Sequence, residues 1–188
     1  MRQRTEPEGL STKVSRDIRG FNVAELAMVV LLVGIMGAVA TPLINNVIQR
    51  NRLDGAARKI ASDLRYAQSL AVSRGGLFRL NSATAACATV SGQTRYRIEQ
   101  STNGGTSWTA FSECYLLSSE FQGAALASLA DNDGGAPTVT DIQFNSRGTC
   151  QNCTSGGAAP PLVVTIAAAS GTRTVRVRTT GSVSVQSP

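Results

Sequence analysis

Gly20-Phe21-Asn22-Val23-Ala24-Glu25-Leu26 opens the stretch that decides the fold, and Ala27 to Ala40 follows it without a single charge. A polar, basic leader ends in a glycine, and an apolar segment with helical character begins at once. It carries one carboxylate near its start. A charged side chain within a bilayer costs roughly 2.5–3.5 kcal/mol on insertion scales, so Glu25 is a functional residue by default and needs a partner.

The leader, residues 1–20, holds Arg2, Arg4, Lys13, Arg16 and Arg19 and has no apolar core. It is therefore not a secretory signal peptide by itself. The apolar run from Phe21 to about Ile44 is long enough to span a bilayer, and the basic residues before it favour a cytoplasmic N-terminus. Pro42 lies near its end, where a proline removes one backbone hydrogen bond and kinks or loosens a helix. Beyond it, Leu53, Ala57, Ile60, Leu64, Ala67 and Ala71 recur at three- or four-residue spacing, with Arg52, Arg58, Lys59, Asp63 and Arg65 mostly opposite. Gly75 and Gly76 supply a stop. One long helix over 21–75 is expected, apolar first and amphipathic second.

From Leu77 the pattern changes. Gly76 to Leu80, Thr94 to Glu99, Thr138 to Asn145, Leu162 to Ala167 and Thr172 to Val185 alternate or favour β-branched residues. Turns rich in Gly, Asn and Asp separate them. Residues 76–188 read as one antiparallel β domain packed on the helix, an α+β plan.

The N-terminal motif resembles the prepilin peptidase site of type IV pilins and secretion pseudopilins. The resemblance implies cleavage between Gly20 and Phe21, methylation of the new N-terminus at Phe21, and pairing of Glu25 with the terminal amine of a neighbouring subunit. Pilins commonly have a proline where Pro42 stands. Asp63-Leu64-Arg65-Tyr66-Ala67-Gln68-Ser69 and Ile142-Gln143-Phe144-Asn145-Ser146-Arg147-Gly148, with the hairpin around Thr180-Gly181, resemble the GspH/FimT group of minor pilins. The implied fold is type IV pilin-like, with a transmembrane half over about 21–44 and a periplasmic β-rich domain. The implied partners are a prepilin peptidase, the bacterial inner membrane and other pilins in a filament. A pilus role in natural transformation and a type II secretion role, priming or capping a pseudopilus, both follow from the group.

Four cysteines, Cys87, Cys114, Cys150 and Cys153, suit an exported domain with disulfides. Three connectivities exist. Cys87 with Cys114 and Cys150 with Cys153 is favoured, because the second pair is already close in the chain. The Cys150-Gln151-Asn152-Cys153 spacing also admits a redox motif, but its flanks read as loop, not as a helix N-terminus. The chain has no histidine, which removes the commonest general base. No phosphate loop, metal signature or paired carboxylates stand out. A non-enzyme without a cofactor is expected.

The net charge is +6, and the leader's five basic and three acidic groups leave +4 for the rest. The sharpest basic cluster is Arg173, Arg176 and Arg178. Strand alternation puts Arg176 and Arg178 on one face, about 7 Å apart, a spacing that would bridge neighbouring phosphates of one strand. Minor pilins resembling FimT are linked to DNA capture through a basic C-terminal region, so double-stranded DNA is the partner these arginines would take. Trp108 and Tyr96 are candidates for stacking.

Overall fold

The computed structural model describes residues 22–83, 85–131, 139–153 and 161–186, with backbone alone at 39–43, 130 and 131. The leader, Gly20 and Phe21 lie outside the described residues. The chain forms two compact units, Met1–Thr41 and Pro42–Pro188.

The helix α1 runs Val23–Arg74. Asn22 caps it: its side-chain Oδ1 accepts from the Ala24 backbone N–H at 3.3 Å, and its carbonyl accepts from Glu25 and Leu26. Gly75 ends it with φ +66°, the left-handed conformation that glycine adopts without strain. Within the first unit, Leu26, Val29, Val30, Val33 and Met36 are exposed. The expected span over 21–44 is not recovered: among the described residues no helix is long and apolar enough to cross a membrane. Phe21 and the side chains at 39–43, Pro42 among them, lie outside the described residues. What remains, Val23 to Ala38, includes Glu25 and falls short of the ~20 apolar residues that a span needs.

In the second unit every residue of the expected amphipathic stripe, Leu53, Ala57, Ile60, Leu64, Ala67 and Ala71, is buried. Their spacing returns them to one face every turn, and Ala56, Ala61 and Leu70 widen it. So broad a face serves two sheets, not one.

The first sheet is built from β1 (Leu77–Asn81), β2 (Arg95–Ser101), β3 (Thr109–Ala110), β4 (Tyr115–Leu116) and β6 (Asp141–Phe144). Its order is β3-β2-β1-β6, and β4 also pairs with β2. The second sheet has the order β5-β7-β8-β9, from β5 (Ala125–Asp131), β7 (Leu162–Ala168), β8 (Gly171–Val177) and β9 (Val183–Gln186). All pairings are antiparallel. A single helical turn, α2 (Leu117–Glu120), leads into β5. A bridge between Thr94 and Leu126 joins the sheets. Alternation decides which side chains face the helix: Phe78, Leu80, Tyr96, Ile98, Ile142 and Phe144 from the first sheet, and Leu126, Leu162, Val164, Ile166, Val175 and Val177 from the second.

Where helix and sheets meet, two glycine turns touch. Gln68 on α1 donates from Nε2 to the Gly148 carbonyl at 2.7 Å. Gly181, in the turn after β8 with φ +84°, lies so close that a Cβ there would run into the Gly148 carbonyl oxygen and Gln68 Nε2. The Thr179 carbonyl accepts from the Cys150 N–H at 3.0 Å, and Arg65 Nη2 donates to the Val183 carbonyl at 2.9 Å. Gly181→Ala therefore combines strained backbone with a blocked approach and is expected to cost about 3 kcal/mol in denaturant unfolding. Gly92→Ala is the control. Its φ is +75° but a Cβ there meets nothing within 4 Å, so about 1 kcal/mol is expected. Equal losses would show that the close approach at Gly181 is unimportant.

Candidate interaction surfaces

The arginines of β8 divide between two faces. Arg173 lies on the side of Val175 and Val177, both fully buried, because positions two apart share a face. Its Nε donates to Asp54 Oδ1 on α1 at 2.5 Å. Arg173 thus belongs to the seam between helix and sheet, and the expected three-arginine cluster is corrected to two. Arg176, three residues on, faces the other way. It is half-buried, and among the described residues its Nε has no hydrogen-bond partner. Arg178 is exposed just past the strand, in a turn closed by its own N–H on the Ser182 carbonyl at 3.0 Å. Residues 142–188 contain four arginines and no Asp or Glu, so this end of the chain is uniformly cationic.

The aromatic residues considered for stacking are elsewhere. Tyr96 is buried and donates its hydroxyl to Asp63 Oδ2 at 2.7 Å. Burial, then the Asp63 carboxylate, raises the Tyr96 hydroxyl pKa far above its ordinary value. Lys59 grips the same carboxylate at 2.7 and 2.8 Å and lies over the Tyr115 ring at 4.7 Å. Burial and a hydrogen bond to Glu120 push the Tyr115 hydroxyl up to about 12. Trp108 lies under the Arg79 guanidinium, 4.1 Å from its ring centroid.

That Arg79 is part of a charge network that single motifs do not reveal. Glu99 on β2 is only 2 % exposed. Arg79 Nε reaches its carboxylate at 2.7 Å, Arg97 Nη2 at 2.6 Å and Asn81 Nδ2 at 2.9 Å. Arg79 also reaches Asp141 at 3.2 Å. Burial works to raise the Glu99 pKa, but the hydrogen bonds from Asn81, Arg97 and Arg79 outweigh it and hold the carboxyl below its ordinary range. The signal was present in Arg79-x-Asn81 and Arg97-x-Glu99, which alternate on paired strands in register.

Both disulfides are formed as the favoured pairing has them. Cys87 joins Cys114, and Cys150 joins Cys153. Cys87, Cys150 and Cys153 are buried. Between the second pair, Asn152 accepts from the Gln143 N–H at 2.9 Å and donates to the Asp141 carbonyl at 2.8 Å, tying the small loop to β6. Glu25 is exposed in the first turn of α1.

Residues 56–181 match the family described as Type II transport protein GspH. The chain belongs to this family. The matched residues begin in the buried half of α1 and end at the Gly181 turn, so the GspH region contains the helix–sheet core of the second unit. No curated protein matches the chain. Among solved structures, the type IV minor pilin FimU of Pseudomonas aeruginosa strain PAO1 is 17% identical over 73% of this chain and 90% of its own, with a TM-score of 0.49. The minor pseudopilin EpsH from the type 2 secretion system of Vibrio cholerae is 14% identical over 73% of this chain and 98% of its own, also at 0.49.

The Glu99 network predicts an acid-sensitive stability. Its carboxyl pKa is lowered on folding from an ordinary 4.5, so the stabilisation is fully present above that value and is lost as pH falls towards the folded one. Glu99→Gln should be less stable than wild type at neutral pH, because Arg79 and Arg97 lose their counter-charge. The gap, measured by urea unfolding, should narrow below about pH 4. A gap of constant size would remove the linkage.

Proposed function

We propose that this chain is a minor pilin or pseudopilin, matured at Gly20–Phe21 and built into a filament of related subunits. The GspH match over 56–181 is the observation that carries this reading. The Gly20 to Leu26 motif supports it from the other end of the chain. In this reading prepilin peptidase removes the leader and Phe21 is N-methylated. The precursor sits in the inner membrane with its β-rich unit in the periplasm. Exposed Leu26, Val29, Val33 and Met36 then find lipid or neighbouring helices as cover. Glu25 pairs with the N-terminal amine of the adjacent subunit, since a carboxylate in apolar surroundings is tolerable when paired. Its work is assembly and contact, not catalysis; the absence of histidine from the sequence supports that.

A second reading concerns cargo. Exposed Arg178, with Arg176 near it in a stretch of sequence without acidic residues, supports contact with double-stranded DNA during uptake. The alternative role is a subunit priming or capping the type II secretion pseudopilus.

Glu25→Ala should leave leader removal intact and reduce recovery of the chain in sheared filaments; normal incorporation would refute the pairing. Gly20→Trp should leave the precursor mass intact, and a mature mass equal to wild type would show that processing does not require Gly20. For the cargo reading, Arg176→Ala/Arg178→Ala should weaken duplex binding by the full chain and reduce the slope of affinity against salt by about two phosphate contacts. An unchanged slope assigns these arginines to the solvated surface.

A further inference from the structure

At the end of α1 the chain leaves an open groove of about 610 Å³ between the helix stop, the β2 end and the turn after β6. Its polar side chains include Arg74, Gln100, Asn145, Arg147 and Gln151, and among the described residues no acidic one lines it. Arg74 is the last residue of α1. Its guanidinium lies over the Phe111 ring at 4.8 Å, which leaves the in-plane N–H edge free for an acceptor. Arg147 is exposed, and among the described residues its side chain has no hydrogen-bond or acidic partner.

Two unit positive charges therefore face a wall of amides. The α1 C-terminus opposes them with only about half a negative charge, so the groove stays cationic. The amide groups of Gln100 and Gln151 each bring donors and an acceptor, and Asn145, whose Oδ1 already accepts from the Arg147 and Thr149 N–H groups, brings donors. Such a set matches a peptide backbone, which presents both N–H and C=O. It matches a phosphodiester chain less well, because phosphates only accept. Nor does any aromatic side chain line the groove to stack unpaired bases. Gly75, Gly76 and Gly104 narrow the walls to backbone and let a chain approach closely.

We propose that this groove binds an extended acidic peptide segment of a partner protein, its carboxylates held by Arg74 and Arg147 and its backbone by the surrounding amides. Arg176 and Arg178 do not line the groove, although the turn after Arg178 touches the turn that carries Arg147, and the proposal does not depend on DNA being the cargo. Partner recognition would then be electrostatically steered and salt-sensitive.

The test uses the full chain in a neutral detergent and a fluorescein-labelled hexaglutamate peptide, read by anisotropy at low salt and at about 0.3 M salt. Wild type should bind at low salt and weaken as salt rises, and labelled hexaglutamine should not bind. Arg147→Gln should lose about tenfold in affinity, the equivalent of one charged hydrogen bond. Arg74→Gln/Arg147→Gln should lose more. The Arg147 side chain has no partner among the described residues, so its variant keeps the test independent of any effect of Arg74 on Phe111 packing. Arg178→Gln, outside the groove, should change affinity by less than about twofold. The proposal is overturned by absence of binding at low salt. It is equally overturned if Arg178→Gln loses as much as Arg147→Gln, or if a labelled hexathymidylate binds more tightly than the peptide.

Discussion

Everything in the second unit depends on one helix face serving two sheets at once. A helix can pack one stripe against one sheet with side chains of any size. Here the stripe is widened by Ala56, Ala57, Ala61, Ala67 and Ala71, all fully buried. Small side chains let two layers approach one helix, and the larger Leu53, Ile60 and Leu64 fill the space between them. The arrangement closes where Gln68 meets the Gly148 and Gly181 turns. Only residues without a Cβ allow that approach, so the two glycines fix how near the C-terminal hairpin comes to the helix.

Charge is sorted by strand parity. Side chains that alternate towards the helix are apolar or paired with it: Arg173 with Asp54, and the Tyr96 hydroxyl with Asp63, whose charge Lys59 on the same helix neutralises. On the opposite face of the first sheet, Glu99 is nearly inaccessible yet ionised, because two guanidiniums and an amide satisfy it. A buried carboxylate left with one partner would be destabilising; three donors change the balance. Arg147, Arg176 and Arg178 have no acidic partner among the described residues and lie in the stretch 142–188, which contains no Asp or Glu. Surface charge here is free for partners because the neutralising acids are spent inside.

Periodicity made the α1 stripe, its Gly75 stop and the strands β1, β2, β6, β7 and β8 legible in the sequence, since each repeats at 3.6 or 2 residues. The strand β5 was not. Ala125-Leu126-Ala127-Ser128-Leu129-Ala130-Asp131 is rich in helix formers, and its pairing with β7, broken by a register shift between Leu126 and Ser128, overrides that preference. The strands β3 and β4 have two residues each and carry no period. The division of the β domain into two sheets was equally hidden, because it is set by which strands pair and not by any strand's own composition. Of the candidate site residues, Arg178 stands exposed as strand alternation would have it, and Glu25 stands exposed in the first turn of α1. Arg173 did not join its neighbours, for the reason that three is an odd number on a pleated strand. The groove at Arg74 and Arg147 brings together residues from three elements, and no window of sequence contains it.

The hydrogen bond from Arg65 to Val183 spans 118 residues of chain, and that from Arg173 to Asp54 spans 119. A chain made from its N-terminus presents α1 first and its last clamps last. Until Gly181 and Val183 have emerged, the alanine-rich face lacks one of its two covers, and only the helix and the first sheet, complete at Phe144, have all their residues available. Such high sequence separation slows folding, since loop closure precedes the contacts that reward it. A ribosome holding the final residues would therefore hold the helix half-covered, and its apolar face would be exposed to other chains for the time that synthesis takes.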